Sequence, residues 1–162
     1  MQGLFSLKNK TAIVAGGASG IGKAIAELFA TQGASVFILD QNATGTKSCI
    51  SDIRKNGHKA DGYHCDISDH GNVETAVGNI LEKTDRIDIL VNSAGVSHIG
   101  TLETTSESDF DRMFSINVKG VFNTMKAVAG VMKNQRGGVI LNLASVASST
   151  GIADRFAYSM SK

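Results

Sequence analysis

Short runs of apolar, often β-branched residues alternate along the chain with longer stretches in which apolar residues recur at helical spacing. The apolar runs predict five strands, at Thr11–Ala15, Ala34–Asp40, Ala60–Cys65, Ile87–Asn92 and Val139–Ser145. Strands that alternate with helices are typical of βαβ units, in which the strands are parallel and helices cover the sheet. Because such crossovers are right-handed, we predict an α/β fold with a doubly wound parallel sheet.

The stretches between the strands predict helices of different character. The first helix ends at Gly33 and has one apolar face, made of Ile21, Ile25, Leu28 and Phe29. Two more polar helices are predicted over Ala43–Asn56 and Asn72–Lys83. The longest helix has a capping-box-like start at Ser106, and its apolar stripe continues to Met132.

One polar residue, Asn117, interrupts the apolar stripe of the longest helix. A buried amide must find hydrogen-bond partners or destabilise the fold. Asn117 is therefore predicted to be either a satisfied amide of the core or a residue of a functional site.

Composition narrows the class of protein. The 162 residues are 42% hydrophobic and have a formal net charge of +1, with acidic and basic residues interspersed. We expect one domain over residues 1–162, with neither nucleic acid nor a membrane as a partner. No segment is apolar enough to span a bilayer and the N-terminus does not resemble a signal peptide, so we expect a cytoplasmic location. Cys49 and Cys65 lack disulfide or metal-ligand spacing, and we predict two free thiols and no metal site.

A glycine-rich turn follows the first strand and opens the first helix. Its residues include Gly16, Ser19, Gly20, Ile21 and Gly22, which we predict to bind a dinucleotide cofactor. Glycines allow a pyrophosphate to approach the backbone closely, and the helix N-terminus favours its negative charge. The Gly-x-x-x-Gly-x-Gly spacing differs from the commoner Gly-x-Gly-x-x-Gly fingerprint, and a turn of this kind can also be purely structural.

An acidic residue, Asp40, ends the second strand eighteen residues after Gly22. At this place a carboxylate can accept hydrogen bonds from the adenosine ribose, although it could also be an ordinary solvated strand-end residue. The neutral residues Gln41 and Asn42 follow, so no basic side chain would compensate a 2′-phosphate. The predicted cofactor is therefore NAD rather than NADP.

With further motifs in the same order, the sequence resembles the short-chain dehydrogenase/reductase family over essentially its whole length. The matching segments are Cys65-Asp66-Ile67, Asn92-Ser93-Ala94-Gly95, Ile116-Asn117-Val118, Ser145 after the fifth strand, and Tyr158-Ser-Met-Ser-Lys162. Two positions depart from the family pattern, Ala15 in place of Thr and Ser93 in place of a second Asn.

The resemblance implies a Rossmann-like fold and a role for each motif. Asp66 and Ile67 would contact the adenine, and Asn92, Ala94 and Gly95 would lie beneath the cofactor. The catalytic residues would be Asn117, Ser145, Tyr158 and Lys162. In this mechanism Tyr158 exchanges a proton with a secondary alcohol or carbonyl, Ser145 hydrogen-bonds the substrate oxygen, Lys162 also binds the nicotinamide ribose, and Asn117 positions a water for proton relay.

The spacing of Tyr158 and Lys162 suits the chemistry that the resemblance implies. Residues four apart share a helix face, although such pairs also occur on solvated helices. A phenol has an ordinary pKa of about 10, and lowering it by about three units requires about 4 kcal/mol. One positive charge at about 4 Å supplies about that much at an effective dielectric constant of about 20.

Other functional classes stay open at this point. A non-catalytic NAD-binding or scaffold protein could share the fold, and Ser145 could be an ordinary loop hydroxyl. A P-loop is remote because no Gly-Lys-Ser/Thr follows the turn. The substrate is a small alcohol or carbonyl compound of undetermined type. Residues expected to border its pocket are His98, Ile99, Thr150, Gly151, Ile152 and Arg155.

The sequence ends at Lys162, little more than one turn into the helix that contains Tyr158. By resemblance we expect a longer polypeptide whose remaining part supplies C-terminal strands and much of a subunit interface. The complete protein would then be a homo-oligomer, either a dimer or a tetramer, and these residues alone a poor catalyst.

Overall fold

Five parallel strands form a single sheet in the computed structural model, which describes residues 4–162. The strands are β1 Thr11–Ala15, β2 Ser35–Asp40, β3 Ala60–His64, β4 Ile89–Asn92 and β5 Val139–Asn142. Their order across the sheet is β3-β2-β1-β4-β5. This order confirms the predicted α/β fold with a doubly wound, Rossmann-like sheet. Residues 1–3 of the predicted domain lie outside the described residues.

Helices connect the strands. They are α1 Gly20–Thr31, α2 Ala43–Lys55, α3 His70–Leu81, α4 Glu107–Phe114, α5 Val121–Asn134 and α6 Phe156–Ser161, with a π-helical segment at Ser115–Gly120 and a 3-10 turn at Val146–Ser148. Across residues 4–162, none of the helices has both the length and the apolar character needed to cross a bilayer.

The core lies on both faces of the sheet because neighbouring residues of a strand point in opposite directions. Along β1, Ile13 packs in a cluster with residues of α3 and α5, whereas Val14 packs in a second cluster with residues of α1 and α2. All five residues of β1 are buried, so β1 is the centre of the sheet. The two covered faces explain why its sequence is continuously apolar.

The strands are shorter than the sequence predicts, by one residue in β2 and β3 and by more in β4 and β5. Ile87 precedes β4 because its backbone N–H and carbonyl bond the side chain of Gln135 instead of a strand. After β5 the chain turns at Ser145, whose hydroxyl accepts a hydrogen bond from the Ala147 N–H. The backbone of Ile87 and the turn after β5 are thus bonded by side chains rather than by a neighbouring strand.

The apolar face predicted for the first helix is partly wrong. Ile21 and Leu28 are 66% and 57% exposed. The residues of α1 that are buried against the sheet are the small ones, namely Gly22, Ala26 and Ala30. Their spacing of four places them on one helix face, and their size lets the helix approach the strands closely.

The longest predicted helix is interrupted, because the π-helical segment Ser115–Gly120 separates α4 from α5. A π-helical turn bonds each residue to the fifth before it and so inserts an extra residue into the helix. Asn117 lies in this segment and is 5% exposed. The interruption therefore coincides with the polar residue that broke the apolar stripe.

A buried carboxylate joins the beginnings of β1 and β4. Asp88 accepts hydrogen bonds from the Thr11 N–H at 2.9 Å and the Lys10 ammonium at 3.3 Å. Arg86 also binds both of its oxygens. The hydrogen bond from Arg86 is the largest of the effects that lower the pKa of Asp88 to about 2.

We expect Asp88→Asn to lower the free energy of unfolding by about 1–2 kcal/mol at pH 7, after allowance for the exposed Lys10 and Arg86 side chains. Because the folded pKa lies below the ordinary value of about 3.9, the stabilisation is present above that pH. It is lost as the pH falls from about 4 to about 2. Urea unfolding of the wild type and of Asp88→Asn at pH values from about 2 to 7 tests this pH dependence. The variant Asp85→Asn, at an exposed neighbouring residue, is the control. Equal losses in both variants would contradict this role of Asp88.

Candidate active site

A cavity of about 540 Å³ lies at the carboxyl-terminal edge of the sheet. Residues at or just beyond the ends of all five strands line it, including Gly16 after β1, Asp40 of β2, Asp66 after β3, Ala94 after β4 and Leu143 after β5. The cavity thus spans the point between β1 and β4 where the strand order reverses. Open α/β sheets bind their ligands at this point.

The glycine turn forms one wall of the cavity. Gly16 has a φ of +81°, and a Cβ on it would lie 2.4 Å from the Ala94 nitrogen, so only glycine fits there. The first N–H groups of α1 have no acceptor within the helix and form a natural anion-binding site. Four of the predicted cofactor-binding residues of the turn line the cavity, namely Gly16, Ser19, Gly20 and Ile21.

The last glycine of the turn, Gly22, lies behind the cavity rather than in its lining. A Cβ built on Gly22 would be 2.1 Å from the Gly16 carbonyl oxygen. This glycine therefore lets α1 pack closely against the turn.

We expect Gly22→Ala to lower the free energy of unfolding by about 1–3 kcal/mol, because the added methyl group overpacks the turn. Gly78→Ala in α3 is a matched control, since a Cβ on Gly78 has nothing within 4 Å. That change should instead stabilise the protein by about 0.5–1 kcal/mol, because alanine is the better helix former. Chemical denaturation of both variants measures the difference. A Gly22→Ala protein as stable as the wild type would refute the packing role.

The carboxylate of Asp40 is held at the cavity by two backbone groups. One oxygen accepts the Ala18 N–H at 3.0 Å and the other accepts the Asn42 N–H at 2.8 Å. Gln41 and Asn42, both neutral, line the cavity beside it. Among the lining residues that the structure describes, Lys162 is the one Lys or Arg.

Cys65, Asp66 and Ile67 line the cavity beyond β3. Asp66 is exposed, and one of its carboxylate oxygens accepts hydrogen bonds from the N–H and hydroxyl of Ser68. Ile67 is buried against the π-helical segment, where a Cβ on Gly120 would lie 2.6 Å from it. Burial raises the pKa of the Cys65 thiol to about 11, so it is a neutral, apolar part of the wall.

The motif after β4 is divided between the cavity and the interior. Ala94 and Gly95 line the cavity, together with Ser93. The side chain of Asn92 is 3% exposed and lies inside the protein, where it donates to the Asn142 amide at 2.8 Å and accepts from the Thr124 hydroxyl at 2.7 Å. Asn92 therefore joins β4, β5 and α5, and its side chain does not reach the cavity.

The Asn117 side chain makes hydrogen bonds through both its oxygen and its nitrogen, next to Lys162. Its side chain accepts the Val96 N–H and donates to the Val96 carbonyl, both at 2.9 Å, and it donates to the Ser161 hydroxyl at 2.8 Å. A Cβ on Gly95 would lie 3.2 Å from the Asn117 oxygen and 3.3 Å from the Lys162 nitrogen. Asn117 is therefore a satisfied buried amide, and its place beside the cavity is compatible with the predicted role in a functional site.

Two of the predicted catalytic residues, Tyr158 and Lys162, line the cavity together. The Lys162 ammonium donates a hydrogen bond to the Leu143 carbonyl at 3.1 Å. Ser145 is half-buried at the start of the 3-10 turn, and the residue before it, Ala144, is in the cavity lining. The Ser145 hydroxyl accepts a hydrogen bond from the Ala147 N–H at 3.2 Å. The structure thus brings the tyrosine and the lysine to the cavity and places the serine next to its wall.

The residues predicted to border a substrate pocket lie outside the cavity lining. Arg155 donates to the His98 carbonyl at 3.3 Å, and backbone bonds from Gly100 to Asp154 and from Phe156 to Gly100 join the same two segments. Arg155 therefore holds the loop after β4 against the start of α6.

Several lining residues were not predicted from the sequence, namely Leu39, Val96, Ser97, Ile116, Leu143 and Ala144. Most of them directly neighbour a motif or a strand end. The rule that ligands bind beyond the carboxyl ends of parallel strands would have indicated these positions. Ser161, which bonds Asn117, had no such signal, because its partner is 44 residues away in the sequence.

Comparison with known proteins indicates the family to which the chain belongs. The family profile described as short chain dehydrogenase matches residues 10–162. The chain is 39% identical over 158 residues to D-threitol dehydrogenase of Mycolicibacterium smegmatis, covering 98% of this chain and 61% of that enzyme. The chain thus spans about three fifths of the length of that relative.

Solved structures of other proteins are similar to this chain as well. A crystal structure of NAD⁺-bound xylitol dehydrogenase matches with a TM-score of 0.92 and 32% identity, over 96% of this chain and 60% of that one. A metagenomic short-chain oxidoreductase in complex with NADP also matches with a TM-score of 0.92 and 30% identity, over 96% of this chain and 71% of that one. With a family profile that matches nearly all of its residues, this chain belongs to the short chain dehydrogenase family.

Proposed function

We propose that this chain is part of an NAD(H)-dependent oxidoreductase that interconverts a secondary alcohol and its carbonyl compound. The observation that supports this best is that one cavity is lined by the glycine turn, Asp40, Tyr158 and Lys162. A dinucleotide site and a proton-transfer pair are therefore adjacent. The described relatives that act on alcohols, such as D-threitol dehydrogenase, agree with this proposal.

The residues present fit a nicotinamide dinucleotide. A Cβ on Gly20, the first residue of α1, would have nothing within 4 Å, and Gly20 lines the cavity, so a pyrophosphate could approach the N-terminus of α1 here. Asp40 would accept hydrogen bonds from the adenosine ribose hydroxyls. The adenine would lie by Asp66 and Ile67, and Ala94 and Gly95 would lie beneath the cofactor. When bound, NAD supplies the acceptor or donor of the hydride.

The chain itself moves the proton. Tyr158 takes the hydroxyl proton of the alcohol during oxidation and returns it during reduction, as general base and general acid. The Lys162 ammonium stabilises the phenolate and binds the nicotinamide ribose. Ser145 hydrogen-bonds the substrate oxygen, and Asn117 positions a water that relays protons toward Lys162. Each of these roles extends the family resemblance to the same residues of this chain.

We expect the protein to bind NAD at least about tenfold more tightly than NADP, because a 2′-phosphate would lie against the Asp40 carboxylate. One like-charge pair at about 4 Å costs about 4 kcal/mol at a dielectric constant of about 20, so tenfold is a low bound. Isothermal titration calorimetry with both cofactors measures the ratio.

The Asp40→Asn variant removes the charge with little change in shape. It should bring the affinities for NAD and NADP closer together. Asp52→Asn, which removes a partly exposed carboxylate of α2 that pairs with Lys23, is the matched control. Equal affinity of the wild-type protein for the two cofactors would refute the role of Asp40.

The function is tested with the full-length gene product and a panel of polyols, sugars, hydroxy acids, cyclic alcohols and 3-oxoacyl thioesters. Formation or consumption of NADH, followed by absorbance, identifies the substrates. We expect turnover with at least one secondary alcohol or ketone. Tight NAD binding without turnover of any member would instead indicate a binding protein. The homo-oligomeric state and the cytoplasmic location stay predictions, and gel filtration tests the first of them.

A further inference from the structure

Ser161 lies in the sequence between Tyr158 and Lys162, the two residues proposed to act in proton transfer. Ser161 is 7% exposed and directly precedes Lys162. Its hydroxyl donates a hydrogen bond to the Tyr158 carbonyl at 2.8 Å and accepts one from the Asn117 amide, also at 2.8 Å. One buried side chain, directly before Lys162, therefore bonds the backbone of Tyr158 in α6 to the side chain of Asn117.

The same hydroxyl connects this part of α6 to the rest of the site. The Asn117 side chain bonds both backbone groups of Val96, in the loop after β4, at 2.9 Å. A continuous chain of hydrogen bonds thus runs from Val96 through Asn117 and Ser161 to the Tyr158 carbonyl. It joins the π-helical segment, the cavity loop and α6 at a place where water has little access.

We infer that Ser161 is a positioning residue, which fixes the turn between Tyr158 and Lys162 against Asn117 so that both side chains reach the cavity together. The inference rests on the proposed function of Tyr158 and Lys162. Loss of the hydroxyl would leave one N–H of the buried Asn117 amide without this partner, and the Tyr158 carbonyl would lose a hydrogen bond. The turn would then be free to shift, and proton transfer depends on positions within fractions of an ångström.

The test compares Ser161→Ala with Ser159→Ala in the full-length gene product. Ser159 is two residues away on the same helix, and its buried hydroxyl has no hydrogen-bond partner among the residues that the structure describes. The two variants remove the same atom. We expect Ser161→Ala to lower kcat about tenfold while the Kd for NAD changes less than threefold, because most cofactor contacts lie elsewhere in the cavity. Ser159→Ala should leave kcat within twofold of the wild type.

Two further variants separate positioning from a loss of stability. Ser161→Thr retains the hydroxyl and should restore at least half of the lost kcat. If Ser161 acts through Asn117, the double variant Asn117→Ala/Ser161→Ala should be no slower than Asn117→Ala alone. Thermal unfolding of each variant, followed by circular dichroism, shows whether the protein compared is folded.

The outcomes distinguish this inference from the proposed function. A Ser161→Ala enzyme with wild-type kcat, or with a loss equal to that of Ser159→Ala, would overturn the positioning role. Additive losses of kcat in the double variant Asn117→Ala/Ser161→Ala would also overturn it. If Tyr158→Phe, measured in parallel, also kept full activity, the proposed function itself would fail. An inactive Tyr158→Phe beside a fully active Ser161→Ala would overturn only the role of Ser161.

Discussion

Replacing Tyr158 by Phe is expected to lower turnover at least about a thousandfold, within the range that general acid–base catalysis contributes. The variant keeps the aromatic ring in the cavity wall and removes only the oxygen that exchanges the proton. Cofactor binding should change little, since one lost hydrogen bond is worth about 1 kcal/mol, or about fivefold in Kd. Steady-state kinetics and calorimetry with NAD measure the two effects separately.

The other tyrosine of the chain provides the control for this experiment. Tyr63 lies on β3, and its hydroxyl donates to the Asn79 carbonyl at 3.2 Å, in a groove separate from the cavity. Tyr63→Phe removes the same atom and should leave turnover unchanged. Substantial activity of Tyr158→Phe at neutral pH would show that another group transfers the proton.

Replacing Lys162 by Ala should lower turnover at least about a hundredfold at neutral pH, because an ammonium at about 4 Å stabilises a phenolate by about 4 kcal/mol at moderate dielectric. The Kd for NAD should also rise about tenfold or more, because a hydrogen bond from a charged group, here the ammonium proposed to bind the nicotinamide ribose, is worth about 1.5–3 kcal/mol. Tyr158→Phe differs in that its change in Kd stays within about fivefold while its loss of turnover is larger.

Lys133→Ala is the control for the removal of a positive charge, since Lys133 is exposed in the last turn of α5. Lys133→Ala should change neither turnover nor the Kd for NAD. Turnover of Lys162→Ala near that of the wild type at neutral pH would contradict the electrostatic role of the ammonium.

The parts of the molecule that could be predicted from the sequence depend on local patterns. Apolar runs between helical stretches specify a parallel sheet, and residues just beyond the strands, such as Gly16, Asp40 and Asp66, must then lie at one edge. The spacing of Tyr158 and Lys162 likewise places both on one helix face. The structure has all five in the lining of one cavity, as these patterns indicate.

The features that could not be predicted depend on contacts between distant parts of the chain. The apolar stripe of the long helix does not reveal the π-helical segment, whose buried Asn117 bonds Val96 and Ser161 across 21 and 44 residues. The side chain of Asn92 bonds Thr124 and Asn142 inside the protein rather than facing the cavity.

The first helix is a similar case. Large apolar side chains define its predicted face, whereas α1 packs on the sheet through Gly22, Ala26 and Ala30. How close two elements can approach depends on the smallest residues between them, and hydrophobicity alone does not encode this.

Transfer of a deuterium label tests the central proposal most directly. The full-length protein is incubated with NAD and secondary alcohols that have deuterium on the carbinol carbon, and the NADH formed is analysed by mass spectrometry. If the cavity performs hydride transfer, the deuterium appears on the nicotinamide ring, and Tyr158→Phe yields none. The absence of labelled NADH with every alcohol, while NAD binds tightly, would contradict the proposed function.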